Sequence, residues 1–185
     1  MSRAAFLDRD GVINRSIVRS GKPYPPANLD ELEILPGVPE ALQRLKTAGY
    51  ALIVVSNQPD VARGKISRLE VEAINAALGR ALPIDEFRVC YHDSGDDCSC
   101  RKPRPGMLLD AARERGLDLA ASVMIGDRRG DIEAGRSAGC KTYFIDYGYD
   151  EKRPEAWDYR VKSLREAVGI ILSDSDVPLQ SPRTS

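Results

Sequence analysis

Apolar residues in this chain fall into short runs separated by longer stretches in which they recur every three or four positions. Five runs are strand-like: residues 4–7, 51–55, 87–91, 122–125 and 141–145. The second and fourth are apolar on both faces, as in a parallel strand covered on both sides. Residues 37–48 follow Pro36 and stop at Gly49, with Val38, Ala41, Leu42, Leu45 and Ala48 on one helical face. Residues 68–81 open after Ser67, a helix-capping residue, and carry Leu69, Ala73, Ala76, Ala77 and Leu78. Residues 105–115 start with a proline and end at Gly116, and residues 130–138 end at Gly139. Strand and helix therefore alternate. The pattern predicts an α/β fold, a three-layer sandwich with a mainly parallel, Rossmann-like sheet. Right-handed crossovers would bring all five strand C-ends to one edge, where such sheets bind ligands.

Two segments stand outside the alternation. Residues 15–35 contain Pro23, Pro25 and Pro26 and read as a loop or small flap. Residues 174–185 are polar and read as a disordered tail. That leaves 1–173 as one domain, which suits a chain of 185 residues. A chain this long buries about two thirds of its unfolded surface and folds without a staple.

The net charge of −1 argues against a sequence-independent grip on nucleic acid or on an anionic membrane. No run approaches the length of a membrane span. The four apolar residues before Asp8 are too few for a secretory leader core, so a cytoplasmic location is expected. In that compartment the four cysteines are expected as thiols or metal ligands. The single histidine, His92, excludes a two-histidine metalloprotease helix and a three-histidine zinc hydrolase. Any Ser-His-Asp triad would depend on it alone.

Asp8-Arg9-Asp10-Gly11 follows the first strand directly. Asp8 is suited to attack phosphorus while ligating magnesium, a hard cation that takes oxygen ligands. Asp10 is suited to protonate a leaving group and then deprotonate the attacking water. The same four residues equally suit a polar turn. The later strand ends shift the balance. Ser56 and Asn57 offer a hydroxyl and an amide for phosphate oxygens. Gly126-Asp127 offers a second magnesium ligand, which Asp131 can buttress. Arg101-Lys102-Pro103 precedes a helix, and Lys102 can neutralise charge on a phosphoryl group and on Asp8.

A second constellation is Cys90-Tyr91-His92, then Cys98-Ser99-Cys100. Three thiols and an imidazole are a closed structural ligand set for zinc. A Cys98–Cys100 disulfide is the competing reading, strained by the one-residue spacing, and His92 also reads as a hydrogen-bonded strand-end residue. A zinc loop over 90–100 would preorganise Lys102, two residues on. Arg63 and Arg101 are candidates for the far end of a phosphorylated substrate, with Asn14, Asn57 and Gln58 beside them. Cys140 reads as a small buried hydrophobe, and the glycines at 126, 130, 135 and 139 as turns and close packing. Trp157 and the tyrosines from 147 to 159 read as packing or an interface.

The order D-x-D-G, S-N, K-P and G-D-x-x-x-D resembles the haloacid-dehalogenase superfamily of aspartyl-phosphate phosphatases. Within it, residues 6–14, Leu35-Pro-Gly-Val38, Ser56-Asn-Gln58, Ala62-Arg-Gly64, Cys100-Arg-Lys-Pro103 and Pro105-Gly106 resemble the D-glycero-D-manno-heptose 1,7-bisphosphate 7-phosphatase branch. Histidinol-phosphate phosphatases are its sister branch. The resemblance runs over residues 5–146. It implies a nearly capless, magnesium-dependent phosphatase with a phosphoaspartyl intermediate and a zinc loop. It also implies Asp8 as nucleophile, Asp10 as acid/base with its carbonyl on magnesium, Ser56 and Lys102 as phosphate ligands, and Asp127 as metal ligand. The expected substrate is the heptose bisphosphate, with histidinol phosphate or another small sugar phosphate as the alternative. Pro59-Asp60 replaces the branch's usual Ser-Gly, and the flap reads Pro23-Tyr24-Pro25-Pro26. Both departures border the expected pocket.

Two readings outside enzymology compete. A receiver-like module carries a phosphoaccepting aspartate but no second carboxylate two residues on, so Asp10 speaks against it. A zinc-knuckle interaction protein would turn over no phosphate ester. Oligomeric state is not legible in the chain.

Overall fold

In a computed structural model, residues 2–175 are described. Six parallel strands form one sheet in the order β5-β4-β1-β6-β7-β8. They are β1 (Arg3–Leu7), β4 (Tyr50–Asn57), β5 (Glu86–Cys90), β6 (Val123–Gly126), β7 (Lys141–Ile145) and β8 (Tyr159–Val161). Five helices accompany them: α1 (Val38–Thr47), α2 (Arg68–Ala81), α3 (Gly106–Arg115), α4 (Arg129–Ala138) and α5 (Leu164–Ser175). The expected α/β sandwich is the observed one.

Side-chain alternation sorts each strand between two cores. Ala5, Leu7, Leu52, Val54, Val123 and Ile125 pack on one face with residues of α1, α2 and α5. Ala4, Phe6, Ile53, Val55 and Met124 pack on the other with residues of α3 and α4. The central strands β1, β4 and β6 are covered on both sides, which is why β4 and β6 tolerate no polar alternation. Helix starts are also local. Ser67 accepts from the Glu70 amide while Glu70 reaches back to the Ser67 amide, closing a capping box at α2.

Three elements escape the sequence pattern. Segment 15–35 is a small antiparallel hairpin, β2 (Ile17–Arg19) and β3 (Lys22–Tyr24), followed by one 3-10 turn at Leu29–Glu31. Strand β8 and helix α5 extend the sandwich beyond β7, and α5 runs two residues into the segment expected as a tail. The rest of that segment, residues 176–185, lies outside the described residues.

The chain lays down β1, builds β4 and β5 on one side, then crosses to build β6, β7 and β8 on the other. Winding direction reverses at β1. Ligands bind beyond strand C-ends at such a reversal, and Asp8 is the residue that follows β1 there.

Candidate active site

Two glycines allow three acids to meet. The Asp8 amide donates to the Ile125 carbonyl (3.0 Å), which sets the β1 loop against the end of β6. Gly11 has φ +86°, and a Cβ on it would lie 1.9 Å from Asp127 Oδ2. A Cβ on Gly126 would lie 2.1 Å from the Asp131 Cβ. With neither present, carboxylate oxygens of Asp8, Asp127 and Asp131 gather within 4.8 Å of one another, all buried.

Lys102 is buried among them. Its Nζ lies 2.8 Å from Asp8 Oδ1 and 2.6 Å from Asp131 Oδ1, and donates to the Val55 carbonyl at 2.6 Å. Burial opposes its charge, but Asp131 and Asp8 outweigh that and raise its pKa, so it stays protonated. One lysine does not balance three acids. Burial and the neighbouring Asp131 charge push Asp8 up to about 6. Burial and the charges of Asp8 and Asp131 push Asp127 well above the ordinary carboxylate range. Asp127 Oδ1 is also buried without a hydrogen-bond partner. An orphaned hard oxygen in a cluster with excess negative charge fits a divalent cation such as magnesium.

Asp10 is a hub of donated hydrogen bonds. Asn14 donates to its Oδ1 (2.9 Å) and Gln58 to its Oδ2 (2.7 Å). The fully buried Arg9 donates to both oxygens (3.1 and 3.2 Å), and its own far nitrogen is held by Asn75 (2.9 Å). These four donated hydrogen bonds, two of them from Arg9, fix the orientation of the Asp10 carboxyl group. Gln58 also donates to the Ser56 hydroxyl oxygen (2.9 Å).

Cys90, His92, Cys98 and Cys100 converge at the end of β5. The recorded sulfur–sulfur separations are 3.2 and 3.8 Å, and the sulfur–Nδ1 separations 3.3 and 3.5 Å. A tetrahedral zinc with Zn–S near 2.3 Å has sulfur–sulfur edges of about 3.8 Å. The donors thus stand near the edges of such a tetrahedron, and all four cysteines are free thiols, so the competing Cys98–Cys100 disulfide is not formed. This loop leads into the lysine. The Gly106 amide donates to the Ser99 carbonyl (3.1 Å), and the Asn57 side chain bonds both the amide and the carbonyl of Lys102 (3.1 and 2.9 Å).

Above the acids lies a cavity of about 470 Å³. Asp8, Asp10, Lys102 and Asp131 form part of its wall, the hairpin contributes Lys22, Pro23, Tyr24 and Pro25, and Arg128 and Arg129 close another side. Arg63 and Arg101 are both on the wall, but differ in freedom. Arg63 is paired with Asp93 (2.5 Å) and Asp60 (3.3 Å). The Arg101 guanidinium donates to the His92 carbonyl (3.1 Å) and has no recorded acidic partner among the described residues. Asn57 reaches the wall with its amide spent on Lys102. Asn14 and Gln58, expected at the substrate, are corrected by their placement: both are fully buried, off the wall, and turned onto Asp10. Ser56 is also buried, its oxygen accepting from Gln58.

Sequence reasoning gave no role to Arg9 or to Tyr149, whose hydroxyl donates to Asp127 Oδ2 (2.9 Å). No spacing signal marks Tyr149, because the contact bridges two loops. Arg9 carried a signal, an arginine inside an otherwise acidic motif.

A carboxylate cluster at the reversal point of a parallel sheet, served by a buried lysine, is the arrangement of a phosphate-ester hydrolase. Residues 22–139 match the model of the haloacid dehalogenase-like hydrolases, and the chain belongs to that family. Within it, the chain is a phosphomonoester hydrolase. It is 33% identical over 178 residues to the D-glycero-beta-D-manno-heptose-1,7-bisphosphate 7-phosphatase of Helicobacter pylori strain J99, covering 92% of this chain and 97% of that one. It is 40% identical over 143 residues to the enzyme of that name from Photorhabdus laumondii, covering 71% and 73%. Among solved structures it is similar to a D,D-heptose 1,7-bisphosphate phosphatase from B. bronchiseptica complexed with magnesium and phosphate. That match has a TM-score of 0.80 and 31% identity, over 93% of this chain and 99% of that one. The receiver-like and zinc-knuckle readings do not survive this membership. No helix among the described residues is long and apolar enough to cross a membrane.

Proposed function

We infer that this chain is a magnesium-dependent cytoplasmic phosphatase that removes the 7-phosphate of D-glycero-D-manno-heptose 1,7-bisphosphate. One observation carries the reading: Asp8, Asp127 and Asp131 cluster around the buried Lys102 ammonium, with Asp10 two residues from Asp8 at the same cavity. A carboxylate oxygen of Asp8 attacks phosphorus, forming the phosphoaspartyl bond as the ester P–O bond breaks. Asp10 delivers its proton to the departing alcohol oxygen. Asp10 then takes a proton from the water that attacks the phosphoaspartate, releasing inorganic phosphate and restoring Asp8. Ser56 and Lys102 hold the non-bridging oxygens and offset their charge. Magnesium held by Asp8, Asp127 and the Asp10 carbonyl supplies further charge neutralisation at the phosphoryl group. Zinc on Cys90, His92, Cys98 and Cys100 is structural, since the protein fills all four positions. Arg101, with no recorded acidic partner among the described residues, is the better placed of the two arginines for the second phosphate.

The test is phosphate release with magnesium from both anomers of the heptose bisphosphate, from histidinol phosphate and from fructose bisphosphate. Preference for one heptose anomer is expected, with Asp8→Asn inactive on all four. Full activity in Asp8→Asn, or no activity on any ester, overturns the mechanism. Preference for histidinol phosphate overturns the substrate alone.

A further inference from the structure

Asp127 differs from its neighbours in what holds it. Asp8 and Asp131 both contact the Lys102 ammonium, whereas the side chain of Asp127 has no recorded cationic partner within ion-pair distance among the described residues. Its recorded side-chain hydrogen bond comes from the Tyr149 hydroxyl, 2.9 Å from Oδ2. Its other oxygen, Oδ1, is buried with no partner. Oδ2 faces the space that a side chain on Gly11 would fill, and it accepts the phenol's hydrogen bond.

Tyr149 approaches from outside the main cavity, on the loop that follows β7. That loop is itself tied down. The Tyr147 hydroxyl donates to the Gly11 carbonyl (2.9 Å), the Asp150 amide donates to the Gly21 carbonyl of the hairpin (2.8 Å), and Glu151 pairs with Arg128 (2.6 Å).

We propose that Tyr149 is a positioning residue for the metal-binding carboxylate of Asp127, holding Oδ2 so that Oδ1 is aimed at the magnesium ion. The proposal rests on the magnesium role assigned to Asp127 above. Carboxylates that ligate metals are oriented by hydrogen bonds from a surrounding layer, and loss of one such bond typically weakens metal binding 10- to 100-fold.

The experiment measures magnesium affinity by titration calorimetry on the zinc-loaded full chain, without substrate, for wild type, Tyr149→Phe and Tyr147→Phe. Tyr149→Phe keeps the ring and removes the hydroxyl. Its dissociation constant for magnesium should rise about 10- to 100-fold, with a matching rise in the magnesium needed for half-maximal phosphatase rate. Tyr147→Phe, which loses an equal bond from the same loop to a backbone carbonyl, should bind magnesium as wild type does. An unchanged affinity in Tyr149→Phe overturns the proposal, as does equal weakening in both variants, which would assign the effect to loop packing. If wild type binds no magnesium, the proposed function fails with it. If wild type binds and Tyr149→Phe matches it, only this inference fails.

Discussion

The Asn57 side chain closes a two-bond clamp on Lys102, its Oδ1 accepting from the lysine amide and its Nδ2 donating to the lysine carbonyl. Asn57 ends β4, whereas Lys102 follows the cysteine loop, so the clamp sets the ammonium relative to the sheet. A shift of about 1 Å in such a group can cost 100-fold in rate. Asn57→Ala should therefore lower kcat by about 10- to 100-fold while leaving zinc content unchanged. Steady-state kinetics with metal analysis decides it. A change confined to KM would place Asn57 at the substrate.

The cysteines should react in a set order. With zinc bound, none of the four should alkylate at pH 8. After chelation Cys90, Cys98 and Cys100 should become reactive, with Cys98 first. Burial opposes ionisation of Cys98, but the Arg101 backbone amide and neighbouring thiols lower its pKa overall. Cys140 should stay silent while the chain is folded, because burial pushes its thiol up to about 12. Mass mapping of the alkylated peptides reads this directly, and rapid labelling of Cys98 in the zinc-replete protein would remove the metal assignment.

Magnesium-free protein should lose stability as pH rises through the Asp8 range. The folded pKa of Asp8 is raised from 3.8 to about 6, so between those values the folded state holds a proton that the unfolded chain has released. The contribution of this group to stability therefore falls across that window and is level above it. Asp127, also raised, acts in the same direction. Urea denaturation of wild type and Asp8→Asn from pH 4 to 7 isolates the effect: the difference between them should shift towards the variant with rising pH. A constant difference would show that Asp8 titrates normally.

Gly11→Ala should be more damaging than its size suggests. The added methyl group meets Asp127 Oδ2, and the backbone there is left-handed. Either Asp127 moves or the loop does. Magnesium affinity and kcat/KM should both fall by about 100-fold or more. Wild-type magnesium binding in this variant would mean that the acids are less tightly packed than described.

The central strands were legible because burial on both faces leaves an apolar run that no charge interrupts, as in β4 and β6. The acids at their ends were legible for a related reason: a carboxylate directly after such a run has few structural uses. What escaped was built from pairing rather than composition. The hairpin β2–β3 has two three-residue strands, mostly exposed, with Pro23 in the second. Strand β8 is three residues long and depends on stacking of Tyr159 on Tyr143 at 4.9 Å. Helix α5 carries a readable pattern in Leu164, Ala167, Val168 and Ile171, with Ser163 accepting from the Glu166 amide, directly before a polar terminus. At the site, residue types located the chemistry but not its partners. Asn14 and Gln58 turn their amide nitrogens inward onto Asp10 and leave Asn14 Oδ1 and Gln58 Oε1 buried without a recorded partner, a placement visible only once the loops are folded.

Strand β1 sits between β4 and β6, and so precedes in synthesis both of the strands that flank it. Asp8, which follows it, cannot meet Asp127 or Asp131 until the ribosome has passed the middle of the chain and laid down β6 and the start of α4. A nascent or truncated product ending before β6 would carry Asp8 without Asp127 or Asp131. Placing Asp8 at the end of a central strand thus makes the acidic cluster depend on both halves of the chain. Such a fragment could expose an aspartate to phosphate esters, but it would lack the assembly that makes that aspartate an enzyme.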